Sequence, residues 1–382
     1  MTRGWLVVSH GRNARSRGLN GFAARWIALG CLTWLGCIEM SGGSAPRDVQ
    51  RVAVSDGWLA MGTFFEADLR VEPEAVGEAR AWLEWARLEI ARLEKVYSRH
   101  DPESEVSAFN RELARPDVLL RPLRVGSTLE DLLFASIEVW EGSGGAFDIT
   151  VGPLIDLFSQ AASSGRWPSL DSLRRAKRRV GSGRLLLPGD GEVGVTALGM
   201  RVDLDGISKG AVLDRLRERL DERLPDAAAL LSFGQSSILA IGNPDRRAAT
   251  GGWRLEIQSR GARGERLGVV RLRDRALSVS SSVGSVSEID GQRVSHVVDP
   301  RTGIAVAGTV EAVVVSDRAA LADGWSTALL VLGADRNGIR LVERAGLQAI
   351  VYSEGGRVAH SEGWDALIDS DRPASRRGQE SP

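Results

Sequence analysis

Thiols are almost missing from this chain of 382 residues, whose two cysteines, Cys31 and Cys37, both lie near its N-terminus. The body beyond them can make no disulfide and offers no thiolate nucleophile, which excludes cysteine catalysis. Excess charge is missing too: 49 Lys and Arg stand against 50 Asp and Glu, a formal net charge of -1. No net field reaches outward to recruit nucleic acid or an anionic membrane surface, and no nucleic-acid partner is expected. The N-terminal apolar run falls short of the roughly 20 residues that span a bilayer, and no repeat period is visible. Histidine is scarce, with four copies. What the chain does have is 43% hydrophobic residues, enough to bury a sizeable core in one large domain or two ordinary ones.

Residues 1–25 carry Arg3, Arg12, Arg15, Arg17 and Arg25 and no acid, and an apolar run from Trp26 to Gly36 follows. That is the order of a signal peptide. The run ends in Trp34-Leu35-Gly36-Cys37, a small residue before a cysteine, as at a bacterial lipoprotein cleavage site. Residues 1–40 are therefore expected to be an export segment, with Cys37 taking a lipid that ties the protein to the membrane; Gly30-Cys31 offers a second such pair. An ordinary cleaved signal, or a start set upstream of the run, is the alternative. On the first reading the protein is exported and held on the periplasmic side of the inner membrane as a lipoprotein.

After a polar linker near 41–50, Val52 to Arg70 alternates as a hairpin around Met61-Gly62-Thr63. Helical spacing predicts helices over Pro73–Tyr97, Leu129–Trp140, Ser208–Leu224 and Ala319–Leu332. Strands are expected at Ala229–Ile241, Trp253–Gln258, Gly268–Leu272, Leu277–Ser281, Val294–Val298, Val310–Val315 and Gln348–Tyr352. Helices early and antiparallel-looking strands later argue for an α+β class, a single large domain over 50–368 with mixed or antiparallel sheets flanked by helices. The polar tail 369–382 is expected to be disordered.

Several segments could carry chemistry. Gly144 to Pro153 sets glycines on both sides of a turn, so backbone N–H groups can approach a ligand while Asp148 and Thr150 supply acceptor and donor; a helix end with a turn would look the same. Val202-Asp203-Leu204-Asp205-Gly206-Ile207-Ser208-Lys209-Gly210 ends a strand and opens a helix whose amides face any anion there, with Lys209 adding charge. It is not a Walker loop, and Asp205 or Ser208 could simply cap the helix. His296-Val297-Val298-Asp299-Pro300-Arg301-Thr302-Gly303, read with Ala322-Asp323-Gly324-Trp325-Ser326-Thr327, brings an imidazole, two carboxylates, a guanidinium and two hydroxyls, the equipment for gripping a metal-bound phosphate. Asp323 and Thr327, four apart on a helix, share a face and could hold a hard cation with a backbone carbonyl; an N-cap Asp with a buried Thr is the plainer alternative.

In this order the segments resemble those of the ApbE-type flavin transferases, bacterial FAD:protein FMN transferases. Members show MGT, a segment ending in Ser-Glu and Asn, GAFDPTVGP, DLGGIAKG, a GGD turn, a T-S-G stretch, HIIDPRTG and ADALSTA. This chain answers with Met61-Gly62-Thr63, Ser98 to Asn110, Gly145 to Pro153, Asp203 to Gly210, His296 to Gly303 and Ala322 to Ala328. The resemblance implies a transferase that splits the pyrophosphate of FAD, passes FMN through a phosphoester to a threonine hydroxyl of a partner protein, and releases AMP. It implies Mg²⁺ held by Asp323, Thr327 and the main chain of Ser208, and FAD contacted by Met61, Ala146, Phe147, Asp148, Asp205, Lys209 and His296. The catalytic set it implies is Asp323, Thr327 and His296, and the group that deprotonates the acceptor is a carboxylate or His296, between which the sequence does not choose.

The chain departs from the family pattern with His100 for Tyr, Phe233-Gly234-Gln235-Ser236 for GGD, Val279-Ser280-Ser281-Ser282 for T-S-G, Ile149 for Pro and Asp205 for Gly. These changes surround the implied flavin pocket rather than the metal ligands, which points to altered binding or partner choice. Two other activities would use the same residues: an FAD pyrophosphatase, if water attacks, and a non-catalytic FAD-binding lipoprotein. A carboxylate at 323 in an open cleft would contribute little to stability, so Asp323→Ala is expected to cost turnover and not the fold.

Overall fold

The structure is a computed structural model; it describes residues 50–369 apart from 235, 246–250, 259–265 and 284–285. The expected export segment with Cys37, Gln235, and the tail after Asp369 lie outside the described residues. Strand β1 (Val52–Ala60) returns as β2 (Thr63–Val71) through Met61-Gly62, both at positive φ (49° and 71°), the pair of values a type I′ hairpin turn needs. The chain then builds helices α1 (Val76–Tyr97), α2 (Glu105–Leu113), α3 (Ser127–Gly142), α4 (Gly152–Ser164), α5 (Leu170–Lys177) and α6 (Ser208–Arg223), and later α7 (Ala319–Leu332) and α8 (Arg336–Arg344).

Against them packs one eight-stranded sheet, completed by β3 (Ala228–Phe233), β4 (Ser237–Ile241), β5 (Arg275–Ser281), β6 (Thr309–Ser316), β7 (Gln348–Ser353) and β8 (Val358–His360). Its spatial order is its chain order, and every neighbouring pair is antiparallel. The α+β expectation holds. The single strand expected over Ala229–Ile241 is instead β3 and β4, because Gly234 at φ 51° turns the chain and the Ser236 N–H closes onto Phe233 O at 3.0 Å. The strand expected over Val294–Val298 is split as well: Gln292–Ser295 pairs with Val286–Ile289, whereas Val298–Asp299 pairs with Ile304–Ala305.

Two-residue periodicity gives the sheet two apolar faces. Phe65, Leu69, Leu231, Phe233, Val314 and Val351 face α1, α3, α6 and α7 in the main core. Leu230, Ile238, Leu277, Val313 and Val315 face the other way, under a hairpin of Trp253–Gln258 and Arg266–Leu272 and under Trp364. Helix α7 lies inside this sandwich and is buried from Ala319 to Ser326, as expected of a helix apolar on all sides. Asp323 is its one ionisable residue. Among the described residues no helix is long and apolar enough to cross a membrane.

Candidate active site

Helices α6 and α7 cross antiparallel and touch. A Cβ on Gly210 would stand 2.2 Å from Ala319 O and 2.7 Å from Ala320 Cα, so glycine is required for the contact. The Gly210 N–H, a first-turn amide with no partner inside its own helix, donates to Asp323 Oδ2 at 3.0 Å. From the sheet, Ser237 and Ser278 donate to Asp323 Oδ1 at 3.2 and 3.0 Å. Asp323 is thus 5% exposed and held by three donors. This corrects two expectations: Asp323 is no open-cleft carboxylate, and it is no N-cap, since Arg318 holds that position and Asp323 sits in the second turn. Thr327, one turn on, lies with Oγ1 3.2 Å from Ser280 Oγ.

The entrance to α6 meets the same place. A Cβ on Gly206 would be 3.3 Å from both Thr327 Oγ1 and Phe147 Cε2, so the loop before α6, the 144–150 loop and α7 come together. Their meeting forms a cleft of about 560 Å³ lined by Ala146, Phe147, Asp148, Asp205, Lys209, His296, Asp323 and Thr327 among others. Eight of the sequence-derived positions therefore share one cavity. Met61 and Ser208 are not in its lining. Met61 occupies the β1–β2 turn with its side chain packed on the main core, and Ser208 is buried as the first residue of α6.

Long-range hydrogen bonds hold the loops. The Asn110 side chain donates to Val202 O at 2.9 Å and accepts from Val202 N at 2.7 Å, taking the place of a strand partner. Asp203 N donates to Ile149 O at 2.7 Å. Asp148 spends its oxygens on Thr150 N and Oγ1 and on Ser182 N and Oγ, at 2.5 to 3.0 Å, so its carboxylate braces the loop. Lys209 Nζ donates to Asp205 O at 3.2 Å from a half-buried position at the cleft.

The His296–Gly303 segment divides. His296 lines the cleft, but the Arg301 guanidinium forms a two-pronged pair with Asp299 at 3.0 Å on each side, and Thr302 Oγ1 accepts from Ile304 N at 3.2 Å. These side chains shape their own turn and are not in the cleft lining, which corrects the expectation that the guanidinium faces a phosphate. The cation at the cleft that the sequence reading overlooked is Arg99, whose Nε lies 2.8 Å from Asp203 Oδ2 and 3.1 Å from Asp205 Oδ2. Burial and the neighbouring Asp205 charge push the Asp203 carboxyl above its usual range, while Arg99 pulls it back. Ser237 and Ser278 were overlooked as well. Their signal was present: Ser278 and Ser280 alternate with Leu277 and Val279 along β5 and fall on its helix-facing side, where apolar residues would ordinarily pack.

The ApbE family's sequence model matches residues 61–351. The chain belongs to the ApbE family. Similar relatives of this ApbE-family chain are proteins named FAD:protein FMN transferase from Klebsiella pneumoniae, 29% identical over 80% of this chain and 85% of that one, and from Escherichia coli, 27% identical over 85% and 90%. A solved neighbour is the apo form of the Pseudomonas stutzeri flavinyl transferase ApbE, with TM-score 0.70 and 23% identity over 84% of this chain and 98% of that one, a likeness of fold.

The donor set suits a hard cation. Among the described residues no group of three or more His, Cys, Asp or Glu is arranged to hold a metal, so this is not an all-protein cage. A carboxylate has about four lone-pair sites, and the three donors on Asp323 leave one open. One carboxylate with a hydroxyl beside it is the sparse oxygen set on which Mg²⁺ relies when phosphates and water complete its shell.

Proposed function

We propose that the protein transfers FMN from FAD to a threonine hydroxyl of a partner protein, with Mg²⁺ bound, forming a phosphoester and releasing AMP. The observation that carries this is the convergence of Asp323 and Thr327 on α7 with Gly206 and Lys209 at the entrance of α6, in one cleft. The names of the relatives support the donor and the kind of acceptor. On this reading Asp323 and Thr327 hold the cation, which when bound would offset charge gathering on the leaving phosphate. Lys209, through its ammonium group and its own first-turn amide, grips the diphosphate, the Ser208 and Gly210 amides being spent on Leu204 O and Asp323. Phe147 and Ala146, both buried, wall the flavin side and keep water away. His296, at the exposed mouth, stands where it can take the acceptor's proton. No nucleophile is required of this chain, which suits a body without cysteine.

The test is incubation with FAD, MgCl₂ and a candidate acceptor, read by in-gel flavin fluorescence and by chromatography of FMN and AMP. Covalent flavin on the acceptor is the expected result; FMN and AMP with no labelled protein would favour hydrolysis, and intact FAD would remove the enzymatic reading. Lys209→Ala should raise the Kd for FAD about tenfold through loss of one charge-assisted phosphate contact, and an unchanged Kd by calorimetry would take Lys209 out of the site. We further propose export and lipid attachment at Cys37, supported by the Arg-rich start and the apolar run before it. Mass spectrometry of the wild type and of Cys37→Ser should find diacylglycerol on the first only.

A further inference from the structure

Asp214 lies one turn beyond Gly210 on α6 and is not part of the cleft lining. Its two carboxylate oxygens accept from Ala319 N at 2.6 Å and Ala320 N at 2.9 Å, the opening amides of α7. The crossing of the two helices is thus fastened twice, reciprocally: Asp214 of α6 receives the first amides of α7, and Asp323 of α7 receives the Gly210 amide of α6. Neither helix is capped by its own sequence, since the N-cap residues Ile207 and Arg318 make no side-chain cap bond. Each helix therefore relies on the other for amides that have no intrahelical partner.

Asp214 is costly to keep. Burial pushes its carboxyl up to about 6, against the pull of the Ala320 and Ala319 amides. An apolar residue would avoid that cost but would leave two amide donors unpaired at the start of a buried helix. Geometry says what the carboxylate achieves. Gly210 lets the backbones touch, so the helices could slide along the contact or pivot about it. One latch at Gly210 and Asp323 would fix a point, whereas a second latch one turn away fixes the register.

We propose that Asp214 is a positioning residue for Asp323: by locking the register of α7 against α6, it sets where the Asp323 carboxylate stands relative to Lys209 and the α6 amides. This rests on the reading of the cleft as an FMN-transfer site for its kinetic consequences, and on the two latches alone for its structural ones. Residues that orient a metal-binding side chain from behind typically change metal affinity or activity about 10- to 100-fold when removed.

The experiment compares the full chain with Asp214→Ala and Asp214→Asn. Three readings are taken: Mn²⁺ affinity without FAD by electron paramagnetic resonance, amide exchange at Gly210, and kcat and KM with FAD and Mg²⁺. Asp214→Ala should raise the Mn²⁺ Kd and lower kcat, each about tenfold, speed exchange at Gly210, and leave KM for FAD within about twofold, because the flavin wall is untouched. Asp214→Asn, whose one side-chain oxygen can still accept from one of the two amides, should recover part of the loss. If Asp214→Ala does not fold, Asp214→Ser, with a hydroxyl too short to reach both amides, carries the same expectation. Ile339→Val, a core change in α8, should lower Tm and move none of the three readings. Exchange at Gly210 and Mn²⁺ affinity that match wild type in a less stable Asp214→Ala would make Asp214 an ordinary helix cap and overturn the proposal. A wild type that binds no Mn²⁺ and leaves FAD intact would instead sink the functional reading, and exchange at Gly210 would still decide the latch.

Discussion

Asp323→Ala should lower Mg²⁺-dependent FAD turnover about a thousandfold, the equivalent of roughly 4 kcal/mol of barrier, if the carboxylate is the one charged ligand of the cation. It should also destabilise the fold, because the Gly210 amide and the Ser237 and Ser278 hydroxyls lose a common acceptor inside the protein. A cost of about 2–3 kcal/mol is expected for stranding these donors, less whatever Ser278 regains from its second partner, Ser236 O at 2.9 Å. Asp323→Asn separates the two effects. The amide keeps an oxygen for Gly210, and serine hydroxyls can turn to accept, so most of the stability should return while turnover stays low. Kinetics and thermal unfolding on both variants decide it: an active Asp323→Asn would mean that the charge is dispensable, and with it the proposed cation site.

Gly210→Ala should be among the most damaging single-methyl additions in the molecule. The added carbon would sit 2.2 Å from Ala319 O and 2.5 Å from Ala319 C, and both obstacles are backbone of a buried helix that cannot swing aside as a side chain would. Relief requires α6 and α7 to separate, which stretches the Gly210–Asp323 bond and opens the packing between them. About 3 kcal/mol or more is expected, a fall in Tm of about 5 °C for a domain this large. Metal affinity should fall with it, since Asp323 moves away from the α6 amides. A Tm equal to wild type would show that the two backbones do not touch. Gly77, with open space around its Cβ position, is a suitable control, and Gly77→Ala should be neutral or slightly stabilising in its helix.

Much of the site was legible along the chain. Met61-Gly62 announced the hairpin because a two-residue turn needs positive φ, and the helical spacing from Ala319 to Leu332 matched α7 end to end. The segments around Phe147, Lys209, His296 and Asp323 were each readable as ligand-facing turns or helix starts, and all four reach the cleft. Arg301 misled because a guanidinium two residues after an acid can satisfy itself within its own turn, as it does on Asp299. Arg99 escaped notice because its partners lie more than 100 positions away in the chain. Asp214 reads as one more charge on an amphipathic helix until the start of α7 is seen against it.

The amino-acid order by itself determined the first hairpin, the helices α1, α3, α6 and α7, the α+β class and the family, because these rest on short-range periodicity, turn chemistry and motifs that survive without a partner in view. Tertiary structure alone decided what Asp323 is: buried, gripped by an amide 113 positions away and by two serines from neighbouring strands. The reason is physical. Whether a carboxylate is exposed or held, and what it can still bind, depends on which donors the fold brings to its oxygens, and donors from separate elements have no fixed spacing in sequence.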